Sequence, residues 1–240
     1  MMNYVIKRQV FETTNPATLP SAILEWLAQQ FEELVPVGTK ALRYRGEYGG
    51  FQVSYNYSSG VYTINISHVY NLTDSTYSST GSVGYRTTSV IVENKTVHKI
   101  GITVVKSDDY MIIIPGNYTF TDYASDAPVV KYVTSKLRGK FLGVGRITAS
   151  SLSLTLLPTG ENNSYASING VIIPSSIPAD APNGSLIVSP FYIWTTSIWM
   201  EPMPVTGFYR LYGRTYPDRL NPVTIDGVQL IPVTANVAIG

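Results

Sequence analysis

The sequence contains only two histidines, the side chains that most often act as acids, bases and metal ligands near neutral pH. His68 and His98 both fall on the apolar side of predicted strands, and His98 is in phase with Ile100. A zinc site would need further nitrogen, sulfur or carboxylate ligands at suitable spacing, and none cluster around either histidine in the sequence. We therefore predict no catalytic histidine and no metal site, and we expect both side chains to be half-buried and hydrogen-bonded.

Sequence motifs for other kinds of chemistry are also missing. There is no G-x-S-x-G nucleophile elbow, no P-loop and no cysteine. A glycosidase needs two carboxylates across a cleft. Folding could bring together the acidic residues Glu47, Glu93, Asp108, Asp109 and Asp122. We predict that the protein is not an enzyme and binds no cofactor, and a hydrolase with an unrecognised carboxylate site is the alternative.

The segment FYRLYGRTYPDR, residues 208–219, interleaves arginines with aromatic side chains. Arginine and tyrosine are enriched among the residues that dominate protein–protein binding energy. The same mixture can stack on bases or sugars, and it can also pin a strand and loop through local cation–π contacts and hydrogen bonds. The predicted interface residues of this segment are Phe208, Tyr209, Arg210, Tyr212, Arg214, Tyr216 and Arg219.

The last residues alternate between apolar and other side chains almost to the end of the sequence. This alternation predicts a final strand, and Pro232 favours an edge position because proline cannot donate a ladder hydrogen bond. An open edge can pair with another chain, so the strand either contacts a neighbouring subunit or closes its own sheet. The predicted interface residues are Ile231, Val233, Val237 and Ile239.

The elements that must position these residues are mostly strands. Residues 51–57 and 62–70 alternate on both sides of Ser58-Ser59-Gly60, a pattern typical of an antiparallel hairpin. Apolar residues at helical spacing predict one amphipathic helix between Pro20 and about Leu34, and a short second helix between Asp126 and Leu137. The predicted fold is therefore mostly β, an antiparallel β-sandwich-like domain with an N-terminal amphipathic helix and a short mid-chain helix.

A proline-rich connector divides the sequence after residue 173. We predict a helix-decorated antiparallel β domain over residues 1–173. Residues 174–240 form an aromatic-rich C-terminal β segment that packs on the same core or on a neighbouring subunit.

The composition limits the partners. Charged residues make up 14% of the chain, with 17 Lys+Arg against 16 Asp+Glu, compared with about 25% in an average domain. Such a surface exerts little long-range attraction on nucleic acid or on an anionic membrane, so we expect neither partner. The 18 tyrosines and the low charge suit a protein contact surface. The first residues show no apolar segment of a secretory signal, and we expect none.

The cysteine-free, hydroxyl- and tyrosine-rich strands, the segment 208–219 and the extended final strand together resemble virion structural proteins of tailed bacteriophages. The resemblance implies a non-enzymatic homo-oligomeric subunit of the tail, baseplate, neck or head decoration. Such a subunit is built in the host cytoplasm and contacts other virion proteins. The alternative from another class is a carbohydrate- or receptor-binding β module, with Trp194, Trp199 and exposed tyrosines as a sugar platform.

Overall fold

A computed structural model describes residues 4–46, 49–69, 88–92, 96–108, 110–124, 127–135, 139–147, 152–158, 168–172, 184, 186–188, 191–194, 200–203, 208–211, 214–216 and 218–240. This part of the chain is mostly β, with antiparallel sheets and one α-helix, α1 (Leu19–Gln30). In chain order the strands are β1 (Val5–Thr13), β2 (Leu34–Val37), β3 (Ala41–Tyr44), β4 (Gly50–Ser58), β5 (Val61–Val69), β6 (Thr88–Val92), β7 (His98–Lys106), β8 (Tyr110–Gly116), β9 (Ala127–Ser135), β10 (Gly139–Ile147), β11 (Leu152–Pro158), β12 (Ile168–Ile172), β13 (Leu186–Val188), β14 (Phe191–Trp194), β15 (Met200–Met203), β16 (Phe208–Leu211), β17 (Val223–Ile225), β18 (Val228–Pro232) and β19 (Val237–Ile239).

The strands form three larger sheets and one pair. The first sheet has seven strands in the order β1-β7-β8-β9-β10-β11-β12, and the second has five in the order β2-β3-β4-β5-β6. A third sheet has the order β13-β16-β19-β18-β17, while β14 pairs with β15. All the pairings are antiparallel.

The hairpin predicted around Ser58-Ser59-Gly60 is confirmed. Its strands β4 and β5 pair over nine residues each, from Gly50 opposite Val69 to Ser58 opposite Val61. The two turn residues, Ser59 and Gly60, have φ angles of 53° and 81°. A two-residue loop with both φ angles positive matches the right-handed twist of the flanking strands.

The helix α1 begins after a 3-10 turn over Pro16–Thr18, in which the Asn15 side chain accepts a hydrogen bond from the Ala17 N–H at 3.2 Å. Its buried residues are Leu19, Ile23, Leu24 and Leu27. One hydrophobic core contains these side chains together with residues of the first and second sheets, including Ile102 and Phe51. The helix therefore shares a single core with both sheets.

Part of the first predicted helix and most of the second are not helical. The helix predicted to reach Leu34 ends at Gln30, and Phe31 is already extended with φ −134°. Leu34–Val37 is an edge strand, which tolerates Pro36. The predicted second helix is also wrong over Ala127–Ser135, which is the strand β9 between β8 and β10. Valines at 129, 130 and 133 favour a strand because their branched side chains are restricted in a helix.

The prediction of one continuous final strand is wrong as well. Val228–Pro232 and Val237–Ile239 are two strands separated by a turn, in which the N–H groups of Val233 and Thr234 both donate to the Val237 carbonyl at 2.9 and 3.1 Å. The last strand, β19, lies between β16 and β18, so it is not at an edge.

Candidate functional site

One face of the β4–β5 hairpin passes from the core to the surface. Alternate residues of a strand point to the same face, so Phe51, Val53 and Tyr55 share a face with their cross-strand neighbours. Phe51 and Val53 are buried, whereas Tyr55 is 39% exposed and Tyr57 is 54% exposed. The side of the hairpin that fills the core near α1 thus continues as an exposed aromatic surface near the turn.

The lengths of the elements explain this transition. The helix α1 has twelve residues and spans about 18 Å. Each hairpin strand has nine residues and spans about 30 Å. A helix of that length cannot cover the whole hairpin in any orientation. The part of the hairpin near the turn therefore extends beyond α1.

Three tyrosines, Tyr55, Tyr57 and Tyr62, form what we call the tyrosine cluster. The ring centroid of Tyr62 lies 4.5 Å from that of Tyr57 and 6.4 Å from that of Tyr55. Tyr62 also meets the buried imidazole of His98 edge to face at 4.8 Å. Aromatic pairs at these distances stabilise one another by about 0.5–1.5 kcal/mol beyond their burial, so the cluster is a preformed surface.

The tyrosine cluster offers apolar ring area and phenol hydroxyl groups that both donate and accept hydrogen bonds. Such side chains are suited to binding a protein surface or a sugar. Sequence reasoning identified the hairpin but assigned its apolar face to the core. The available signal was the change from Phe51 and Val53 to tyrosines toward the turn.

The two histidines differ in what the structure shows. His98 is buried rather than half-buried, and its Nδ1 atom has no hydrogen-bond partner within the described residues. His68 lies on β5 opposite Phe51, and its side chain is outside the described residues. Among the described residues, no group of three or more histidine, aspartate or glutamate side chains could hold a metal ion. The absence of catalysis and of a metal site remains a prediction.

The candidate carboxylates are only partly described. Asp108 and Asp122 are both exposed, and Glu47, Glu93 and Asp109 lie outside the described residues. Gln29 donates to Glu25 at 3.5 Å along the outer side of α1. A groove of about 380 Å³ opens between this helix and the β2–β3 hairpin, and its walls are mostly apolar.

Two residues of the Arg–Tyr segment have partners in the same chain. The Tyr216 side chain is buried, and its hydroxyl donates to the Tyr209 carbonyl at 3.4 Å. The Arg219 guanidinium donates to the carbonyls of Tyr123 and Ala124 at 3.2 and 3.4 Å, and burial lowers its pKa. The Tyr216 contact matches the alternative of local pinning, whereas the Arg219 contacts join the segment to residues distant in sequence.

The other predicted contact residues are placed as follows. Arg214 is exposed, and Tyr209 is half-buried. The side chains of Phe208 and Arg210 on β16, and the whole of Tyr212, lie outside the described parts of the chain. The interface role of all seven residues remains a prediction, and so does the division of the chain at residue 173.

The C-terminal residues fill the chain's own interior. Ile231, Val233, Val237 and Ile239 are all buried, and Val237 and Ile239 face β16 across the ladder. The structure therefore shows closure of the chain's own sheet, one of the two outcomes that the sequence left open. A contact of these side chains with a neighbouring subunit would require the sheet to open.

Replacing Tyr216 with phenylalanine is expected to have an effect that depends on pH. Burial raises the pKa of Tyr216 above its usual value near 10. The unfolded chain then loses its proton first as the pH rises above 10, so the stability of the wild type falls there. At pH 7 the variant should be less stable by about 0.5–1.5 kcal/mol for the lost hydrogen bond, and the difference should shrink above pH 10. Urea unfolding at pH 7 and at pH 10–11 measures it, and an unchanged difference would contradict this role of burial.

Comparison of the sequence and the structure with known families, with curated proteins and with solved structures finds no match. Within the described ranges no helix is long and apolar enough to cross a membrane. The functional inference below therefore rests on the tyrosine cluster and on the composition of the chain.

Proposed function

We propose that the protein is a non-enzymatic structural subunit of a symmetric assembly, of the kind that forms the tail, baseplate, neck or head decoration of a tailed-bacteriophage virion. The observation that carries this proposal is the tyrosine cluster. Large aromatic side chains in contact with the core and exposed at a hairpin tip are the typical anchors of protein interfaces. The low charge of the chain, 14%, suits the desolvated centre of such an interface.

The architecture we infer for this subunit is sandwich-like, with the first and second sheets facing each other. The shared core supports it, because Ile64 of the second sheet and Ile102 of the first belong to one buried cluster with α1. A rigid two-layer body would hold the hairpin in a fixed direction. Fixed geometry lowers the ordering cost of association.

The partners we propose are further copies of this chain and other virion proteins, which assemble in the host cytoplasm and remain in the virion. The balance of 17 basic and 16 acidic residues argues against nucleic acid and anionic membranes as partners. Because the net charge is close to zero, long-range electrostatic attraction between subunits should be weak.

The double replacement Tyr55→Ser and Tyr57→Ser is expected to weaken assembly by at least tenfold while the subunit stays folded. Both side chains are exposed and neither belongs to the buried core, so little core packing is lost, whereas interface anchors of this type commonly contribute 2 kcal/mol or more. Sedimentation velocity over a concentration series measures the assembly, and circular dichroism checks the fold.

Tyr118→Ser is the matched control, because Tyr118 is also 39% exposed but lies over the Lys99 ammonium group, 5.5 Å from its ring centroid. The control should assemble like the wild type. Equal assembly of the double variant and the wild type would remove the support for the proposed function.

A carbohydrate- or receptor-binding module is the second candidate, and the same exposed rings favour it. Sugar rings stack on aromatic faces, and tyrosine hydroxyls can bond their hydroxyl groups. Trp194 ends β14, but its side chain and the whole of Trp199 lie outside the described residues, so the platform proposed from the sequence stays a prediction. Saturable binding of soluble glycans that is lost in the Tyr55→Ser, Tyr57→Ser variant, with assembly unchanged, would favour this function.

A further inference from the structure

The strand β1 forms one end of the seven-stranded sheet. It pairs with β7 along all nine residues, from Val5 opposite Lys106 to Thr13 opposite His98. Three successive residues, Lys7, Arg8 and Gln9, are exposed, although the Arg8 side chain also reaches Leu220 and Phe120. Within the described part of the chain no strand pairs with its other side. A long edge of this kind is a template for pairing with another strand.

Two observations show which backbone groups point outward. The Gln9 side chain donates to the Val10 carbonyl at 2.8 Å, which indicates that this carbonyl points away from β7. On β7, the Ser107 N–H donates to Tyr110 of β8, which turns the even-numbered residues of β7 toward β1. In an antiparallel pair the N–H and C=O of one residue point to the same side, alternating along the strand. With the observed register, the backbone N–H and C=O groups of the even-numbered residues of β1, from Ile6 to Glu12, therefore point away from β7.

We propose that β1 pairs antiparallel with β1 of a second copy of this chain, across a twofold axis at Val10. In this register Arg8 lies opposite the partner's Glu12 and Glu12 opposite the partner's Arg8, so opposite charges meet twice. A register centred on Arg8 would place two arginines opposite each other, and one centred on Glu12 would place two glutamates. One centred on Gln9 would leave Glu12 opposite Ile6. Because like charges directly opposite are destabilising, the charge pattern of the strand selects Val10.

The existing contacts of these side chains are compatible with the pairing. The Arg8 guanidinium donates to the Leu220 carbonyl at 3.1 Å and lies over the Phe120 ring at 5.9 Å. A guanidinium has five N–H donors, more than these contacts use. Glu12 pairs with Lys99 at 2.8 Å on the solvent side of the sheet, and one carboxylate can accept from several donors. The Gln9 amide must release the Val10 carbonyl, and this side chain is exposed.

The inference rests on the proposed function, since it supplies one of the contacts by which identical subunits assemble. It joins the first sheets of two subunits into one continuous sheet. The surface is separate from the tyrosine cluster, which lies on the second sheet.

Disulfide trapping of the full-length chain tests the register, because the protein has no cysteine of its own. Two Val10→Cys residues would lie about 5.5 Å apart between Cα atoms in the proposed pair, within the range that a disulfide spans. Mild oxidation should give a covalent dimer. Val5→Cys is the control, since this side chain is 45% exposed yet would lie about 34 Å from its counterpart, and it should form no covalent dimer under the same conditions.

A charge exchange provides a second measurement. Arg8→Glu and Glu12→Arg should each weaken self-association at least tenfold, because each places like charges opposite one another. Their equimolar mixture should recover a one-to-one complex, since every glutamate again faces an arginine. Recovery also shows that both variants are folded.

The outcomes separate this inference from the proposed function. Failure of Val10→Cys to cross-link faster than Val5→Cys would overturn the pairing. If the wild type still forms an oligomer that depends on Tyr55 and Tyr57, the proposed function stands without it. Were the wild type monomeric, both would be overturned.

Discussion

Replacing Phe51 with alanine is expected to lower the free energy of unfolding by about 3–5 kcal/mol, the usual cost of removing a buried phenylalanine side chain. Phe51 is 0% exposed and belongs to the core shared by α1 and two sheets. Its ring also lies against Tyr44, with centroids 6.0 Å apart. Urea denaturation at neutral pH measures the change. A loss of this size would remove a large part of the total stability of an ordinary domain.

Tyr57→Ala is the matched control on the same strand and the same face. Its side chain is mostly exposed and loses only a ring contact with Tyr62, so the expected cost is about 0.2–1 kcal/mol. A large difference between the two variants would show that the hairpin face divides into a buried half and a free half. Similar costs would mean that the tyrosine cluster is part of the core, and the candidate site would be lost.

Removing residues 229–240 is expected to unfold the third sheet. The deleted segment includes β19, which lies between two other strands, and most of β18. It also accepts backbone hydrogen bonds from outside, including those of the Tyr216 N–H to Ala235 at 2.8 Å and the Leu220 N–H to Pro232 at 2.7 Å. Limited proteolysis should cut the remaining residues 208–228 much faster than in the full-length chain.

Removal of Gly240 alone is the control, because this residue follows the last strand. That variant should resist proteolysis like the full-length chain. A truncated chain without residues 229–240 that stays folded but does not assemble would restore the hypothesis that its strands complete a neighbouring subunit.

The sequence pattern predicted the elements whose geometry depends on residues close together in the chain. The alternation over residues 51–57 and 62–70 fixed both strands of the hairpin, since a two-residue turn sets the pairing register. The mid-chain helix failed because Val129, Val130 and Val133 fit a helical face by spacing and a strand by side-chain type. In such short segments, pairing with neighbouring strands determines whether a helix or a strand forms, and those neighbours can be distant in sequence.

Strand order could not be predicted from periodicity. The alternation from Ile231 to Ile239 runs through a turn, where Thr234 accepts hydrogen bonds from the N–H groups of Asn236 and Val237. The predicted edge position is therefore wrong, because β18 and β19 are both interior strands of the third sheet, whose described edges are β13 and β17. The tyrosine cluster depends on how far α1 reaches along the hairpin, a distance that only the folded arrangement reveals.

The measurement that tests the proposed function most directly is native mass spectrometry of the purified full-length protein over a range of concentrations, with the Tyr55→Ser, Tyr57→Ser variant beside it. The proposal predicts an oligomer of one defined stoichiometry for the wild type and a shift to smaller species for the variant at equal concentration. A wild-type protein that is folded and monomeric throughout, or an oligomer that the two substitutions leave unchanged, would contradict assembly through the tyrosine cluster.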